Sequence, residues 1–282
     1  LIYCSKIEFQ LEKPKTNFNK NFYFWFVTLT DTHTHLFAEE FDIDRVEVVQ
    51  RAISAGVKKM FLLNIDSSSI ASMLKLEEEF PKHCFAMMGL HPCSVNEKYG
   101  EELSIVEHWL SKRKFIAIGE IGMDCHWDKT FIAQQKDAFT RQIDLAKKYS
   151  LPIVIHQREC FNDLFEIVQF KNDKSLKGIF HCFTGTVDEA NKIISLGGFK
   201  IGIGGAVTYK KSELPEVLSQ IDMKHIVLET DSPYLTPAPH RGKRNESSYI
   251  TFVAQKIAEI KGIPVEEVAE ITTKNAEEIF SH

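Results

Sequence analysis

Two histidines stand two residues apart in Asp31-Thr32-His33-Thr34-His35. In extended chain such residues project to the same side, so both imidazoles can close on one metal ion. Further along, His91 lies in Gly89-Leu90-His91-Pro92 and Glu120 in Ile118-Gly119-Glu120-Ile121-Gly122. His156 ends Ile153-Val154-Ile155-His156, His181 lies in Phe180-His181-Cys182-Phe183, and Glu229 and Asp231 fall in Glu229-Thr230-Asp231-Ser232-Pro233-Tyr234. Several imidazoles with carboxylates suit Zn²⁺, Mn²⁺, Fe or Ni²⁺, whereas Mg²⁺ takes mostly oxygen ligands. Glu120 offers two oxygens and can bridge two ions. Asp231 can bind a metal, act as a general base, or both. Divalent ions bring the pKa of coordinated water towards roughly 7, and a pair about 3.5–4 Å apart clamps both reacting oxygens of a phosphodiester. A lone histidine beside an apolar run ordinarily packs or is solvated, and His83, His108, His126 and His225 receive no role. Glu229 reads as a brace for a ligand or as a turn cap. Cys182 reads as a small packing residue.

The elements that must gather these groups are legible as apolar runs. Eight of them, at 23–29, 60–65, 85–90, 115–121, 152–155, 178–183, 199–203 and 226–228, are continuous rather than alternating, as strands covered on both faces should be. Helical periodicity appears between them at 44–55, 134–148, 187–196 and 247–260, and glycines follow several of these stretches. Residues 263–281 read as two further short helices. Strands alternating with helices predict an α/β fold, a single-domain (β/α)₈ TIM barrel. No GxGxxG fingerprint or Walker loop supports a doubly wound sheet instead. Each candidate ligand then falls at the C-terminal end of a strand, with the His33/His35 pair just after the first. In a parallel barrel those ends share one face, where active sites form. Residues 1–24 lack clear periodicity and are set apart as an N-terminal extension, leaving 25–282 as the barrel domain. The run 22–29 reads as a buried strand rather than a signal peptide.

Composition limits the alternatives. With 44% hydrophobic and 26% charged residues the chain is neither collagen-like, coiled-coil nor disordered. The 34 Lys+Arg against 39 Asp+Glu leave a formal charge of −5. A protein that coats nucleic acid by bulk charge is strongly basic, so any polyanion must be held by a local patch or by metal ions. Six cysteines without a CxxC pair exclude a zinc ribbon and fit a reducing cytoplasm. No run is long enough to span a bilayer, so no membrane association is expected, and nothing points to an obligate protein partner. The local patch is Pro237-Ala238-Pro239-His240-Arg241-Gly242-Lys243-Arg244-Asn245. It follows the eighth strand, where barrel loops often bind phosphate. Arg241, Lys243 and Arg244 are therefore candidate backbone contacts. Arg158, two residues after His156, is another candidate, its competing role being a salt bridge within the barrel mouth.

Taken together, DTHTHL (31–36), GLHP (89–92), IGEIGMD (118–124), PIVIHQR (152–158), HCFTG (181–185), ETDSPYLTP (229–237) and RGKRNE (241–246) resemble the TatD-type metal-dependent deoxyribonucleases of the amidohydrolase-like superfamily. The resemblance covers about 28–281. It implies a (β/α)₈ barrel with two divalent ions on His33, His35, Glu120, His156, His181 and Asp231. Glu120 would be the bridging carboxylate and His91 would lie near the scissile phosphate, so that Glu120, Asp231 and His91 form the catalytic set. It further implies hydrolysis of DNA, as a 3′–5′ exonuclease on single strands, with Mg²⁺ as the ion of activity. The sequence departs from the family in the first two dozen residues and at Cys125-His126-Trp127. Trp127 suits either a stacking platform or rim packing. A competing reading keeps the metal site but attacks a carbonyl ester or amide, as a D-aminoacyl-tRNA deacylase does. A non-catalytic binding module would have lost ligands, and all six are present.

Overall fold

The computed structural model describes residues 27–173 and 175–280. Eight strands run β1 Leu29–Thr34, β2 Val57–Leu63, β3 Cys84–Met87, β4 Ile118–Asp124, β5 Ile153–Arg158, β6 Gly178–Phe180, β7 Phe199–Ile203 and β8 Ile226–Leu228. All pairings between them are parallel, in two arcs of order β1-β2-β3 and β4-β5-β6-β7-β8. Backbone hydrogen bonds join the arcs at both seams. At one, Met88 N–H donates to the Ala117 carbonyl (3.2 Å) and Gly119 N–H to Met88 (3.2 Å). At the other, His35 N–H donates to Ser232 (2.8 Å) and Asp231 N–H to His33 (2.9 Å). The result is the expected (β/α)₈ barrel.

The intervening helices are α1 Arg45–Ser54, α2 Ile70–Glu79, α3 Tyr99–Lys112, α4 Ile132–Tyr149, α5 Phe161–Lys171, α6 Val187–Ser195, α7 Leu214–Gln220, α8 Ile250–Lys261 and α9 Val265–Phe280. Each turns an apolar stripe onto the strands, as Phe139, Ile143 and Ala146 do in α4. α6 starts with a capping box in which the Thr186 hydroxyl accepts from Glu189 N–H and Glu189 accepts from Thr186 N–H. None of the described helices is long and apolar enough to cross a membrane.

Two sequence expectations shift. β1 begins where the expected strand 23–29 ends, so His33 lies within the strand and His35 immediately after it, rather than both beyond its end. Its polar residues are all buried, and neighbours satisfy several of them: the Thr32 hydroxyl donates to the Leu228 carbonyl (2.9 Å), and Asp31 accepts from Thr230 N–H (2.9 Å) and hydroxyl (2.6 Å). The two short helices expected in 263–281 are one, α9, unbroken by Gly or Pro. The Thr272 hydroxyl donates back to Val268 (2.8 Å), and Asn275 donates to the carbonyls of Met223 and Ile226 (both 2.7 Å), pinning α9 beneath β8. α2, α3, α5 and α7 were not singled out by periodicity. The boundary expected between 24 and 25, and most of the run 22–29, lie outside the described residues.

The barrel interior decides which end is open. Leu63, Met87, Ala117, Val154, Ile179 and Val227 point inward and pack with Ala276, Ile279 and Phe280 of α9. That plug fills the N-terminal end. The polar residues converge on the other end.

Candidate metal centre

Glu120, 2% exposed, lies at the centre of the C-terminal face. Its two oxygens look at different sets of imidazoles. Oε2 is 3.1 Å from His33 Nε2 and 3.4 Å from His35 Nε2. Oε1 is 2.8 Å from His156 Nδ1, 2.8 Å from His181 Nε2 and 3.3 Å from His91 Nε2. Asp231 Oδ1 approaches His33 and His35 at 3.6 and 3.7 Å. Donor atoms of His33, His35 and Asp231 lie within 4.8 Å of one another, as do those of His33, Glu120 and His181, and those of His91, Glu120 and His156. Every histidine and carboxylate nominated as a ligand is thus in one cluster. Asp231 adopts a left-handed backbone (φ 56°), a sparsely populated region held here by the seam bond from its N–H to His33.

The outer partners of each ring indicate its free lone pair. His35 Nδ1 is 3.1 Å from the Leu63 carbonyl, which can only accept, so Nε2 keeps its lone pair towards Glu120. His156 Nε2 is 2.9 Å from Asp124 Oδ2, which turns Nδ1 into the cluster. His91 differs: its Nδ1 accepts from Cys93 N–H (3.0 Å), so the neutral ring carries its proton on Nε2, towards Glu120. His91 is therefore arranged as a donor. His181 Nδ1 is 3.5 Å from Glu229 Oε1, which also accepts from Cys182 N–H (2.5 Å). Two glycines permit these approaches. Gly122 (φ 145°) lies against the His156 backbone, where a Cβ would overlap its carbonyl oxygen, and a Cβ on Gly202 would strike Glu229 Oε2.

Electrostatics describe a site built for cations. Burial opposes the Glu120 charge, but His91, His181 and His33 outweigh it and hold the carboxyl well below its usual range. Burial likewise opposes protonation of His156 and His181. Asp124 and Glu120 outweigh it at His156, and Glu120 and Glu229 at His181, so both rings titrate above the usual value. At His33 burial prevails, reinforced by His181, and the ring titrates well below. Burial pushes Asp231 up to about 6. Protons on His156 and His181 occupy directions in which a cation would be coordinated. Nε2 of His33, His35 and His181 and Nδ1 of His156 converge on the two Glu120 oxygens. The donor set therefore fits divalent metal, with Glu120 as the shared ligand.

Above the cluster is a cavity of about 1150 Å³. Arg158 and Arg241 line it, as do Trp127, Tyr209, Lys210 and Lys211. Lys243 and Arg244 are not among its lining residues. The Arg244 guanidinium lies over Phe41 (4.5 Å) and binds the Glu40 carbonyl (2.5 Å) and Asp44 (2.7 Å), which ties the basic loop to the start of α1. Sequence reasoning missed Asp124, although it closes the IGEIGMD segment four residues after Glu120. It missed Lys210 and Lys211, whose signal was two cations following β7. It also left unassigned Asp31, which binds β1 to the segment after β8.

Comparison with known proteins gives a consistent set. The family described as TatD related DNase matches residues 30–281. The metal-dependent hydrolase YabD of Bacillus subtilis is 40% identical over 246 residues, covering 87% of this chain and 96% of that protein. The 3′-5′ ssDNA/RNA exonuclease TatD of Erwinia tasmaniensis is 31% identical over 252 residues, covering 87% and 97%. The crystal structure of YjjV, a TatD homologue from Escherichia coli, superposes with a TM-score of 0.85 at 29% identity, covering 90% of this chain and 98% of that one.

Proposed function

The chain belongs to the TatD-related DNase family of metal-dependent hydrolases, and from that premise we propose that it is a phosphodiesterase that shortens single-stranded DNA from the 3′ end. The observation that carries this reading is the two-sided Glu120 carboxylate, ringed by imidazoles beneath a cavity with four cationic side chains. His33, His35, Glu120 and Asp231 would hold one divalent ion and Glu120, His156 and His181 a second, and bound metal, Mg²⁺ for activity with Zn²⁺, Mn²⁺ or Ni²⁺ also compatible with the imidazoles, would supply Lewis acidity towards the phosphoryl oxygens and water. Glu120 holds the two halves of the site in register. Asp231 takes the proton of the attacking water. His91, its Nδ1 engaged by Cys93 and its Nε2 donating to Glu120 (3.3 Å), lies beside the position of the scissile phosphate and steadies the Glu120 carboxylate there. Arg158 and Arg241 position the strand from the cavity walls, and Lys243 adds charge at the rim. Arg244 contributes by holding the loop that carries Arg241. The five described cysteines form no disulfide, which supports a cytoplasmic location.

The test is end-labelled single-stranded DNA incubated with the protein in Mg²⁺ or EDTA. Stepwise shortening in Mg²⁺ alone, abolished by Glu120→Ala in a protein that keeps its circular dichroism spectrum, is the expected result. Intact DNA together with hydrolysis of the ester of a D-aminoacyl-tRNA would overturn it in favour of a deacylase.

A further inference from the structure

The cavity has two aromatic features that the metal site does not use. Trp127 is 70% exposed and lies on the cavity wall. It is nonetheless held in place. Its backbone N–H donates to Asp124 Oδ1 (3.2 Å), its indole meets His126 edge-on (4.8 Å, 84°), and the Arg158 guanidinium lies 5.1 Å from its ring. His126 is itself fastened to Glu159 (2.6 Å). Because Asp124 also binds His156, one carboxylate holds both the backbone that carries Trp127 and a cluster histidine. The second feature is Tyr209, whose hydroxyl donates to the Thr236 carbonyl (3.3 Å) and whose ring is covered by the Arg241 guanidinium at 3.7 Å. Exposed Lys210 and Lys211 follow it along the wall.

Barrel order separates the two features. Trp127 and Arg158 come from the ends of β4 and β5, and Tyr209 and Arg241 from the segments after β7 and β8. β6, carrying His181, runs between them. Each pairs a π surface with a guanidinium, the combination that stacks bases while meeting backbone charge.

We propose that Trp127 on one wall and the Tyr209–Arg241 pair on the other are stacking platforms that grip two unpaired bases on either side of the Glu120 cluster. This inference rests on the nuclease reading and adds the residues that select the substrate. Recognition through ring faces tolerates any base, since every base has a π face. It requires bases free of a complementary strand, because a paired base cannot turn onto a side chain. Arg158, Arg241 and the two lysines then follow the phosphates between the platforms.

The experiment measures steady-state cleavage of labelled oligodeoxynucleotides in Mg²⁺. Trp127→Ala is expected to raise KM about tenfold, within the range of one base–aromatic stack, with a much smaller change in kcat, while Trp127→Phe restores most of the affinity. Tyr209→Leu should act in the same direction. On oligonucleotides with an abasic site at each position in turn, the Trp127→Ala penalty should shrink at least fivefold at one position, because the partner of the ring is then already gone. Trp127 is exposed, so its variant tests the idea even if Tyr209→Leu is poorly folded. DNA cleavage with KM within twofold of native in Trp127→Ala and Tyr209→Leu would overturn the platforms and leave the nuclease reading standing. No cleavage of any oligonucleotide by the native protein would overturn both.

Discussion

Asp124 gives the sharpest test of how this site is held. Its Oδ2 takes the His156 Nε2 proton at 2.9 Å, while Oδ1 accepts from the backbone N–H groups of His126 (2.9 Å) and Trp127 (3.2 Å). Asp124→Asn is nearly isosteric, and its amide oxygen can keep the two backbone bonds. Its amide nitrogen then faces His156 Nε2 as a donor. The ring must surrender the Nε2 proton, and the neutral tautomer carries it on Nδ1, the atom 2.8 Å from Glu120 Oε1. The lone pair meant for metal is then turned away. Removing such an outer partner typically costs 10- to 100-fold in metal affinity, or about 1.4–2.7 kcal/mol. Asp124→Ala should lose as much and also loosen the 125–127 segment. Isothermal titration of chelator-treated protein with Mn²⁺ measures the effect, with the melting temperature as a fold control. An Asp124→Asn affinity within twofold of native would refute the claim that this carboxylate orients His156.

Three other predictions follow from the same geometry. Gly122→Ala demands a side chain at φ 145° against the His156 carbonyl, so it should cost more than about 1 kcal/mol and lower the melting temperature by at least about 2 °C; an unchanged melting curve would contradict it. Because His156 and His181 titrate above the ordinary imidazole value, metal must displace protons as pH falls, so affinity should already weaken above pH ~6.5 and continue to fall below it; calorimetry in buffers of differing ionisation enthalpy counts the released protons, and a pH-independent affinity would exclude the linkage. Arg241→Ala should raise KM for DNA and reduce its salt dependence, whereas Arg244→Ala should lower the melting temperature with a smaller effect on KM; the reverse pattern would show that the two arginines have been assigned to the wrong tasks.

The histidines and carboxylates of the centre were legible because their chemistry is carried by residue type, and because each adjoins an apolar run long enough to be a strand. Asp124 was not, since an acid ending a strand segment reads like any solvated acid until the His156 ring is found 2.9 Å away. β1 was misplaced for a related reason. Its polar Asp-Thr-His-Thr stretch reads as lying beyond the apolar run, yet the partners that make burial affordable, Leu228 and Thr230, lie nearly 200 residues away.

What the sequence determined by itself was the inventory and its order: alternating strands and helices, and metal-binding side chains adjoining strands in turn. Those follow from local periodicity and from which atoms can donate a lone pair. The tertiary structure decided which lone pairs are free, which of two arginines in one loop lies on the cavity wall and which is occupied by Asp44, and that the backbone carrying an exposed indole shares its anchor with a cluster histidine. These depend on distances between side chains from different strands, and closure of the barrel sets them.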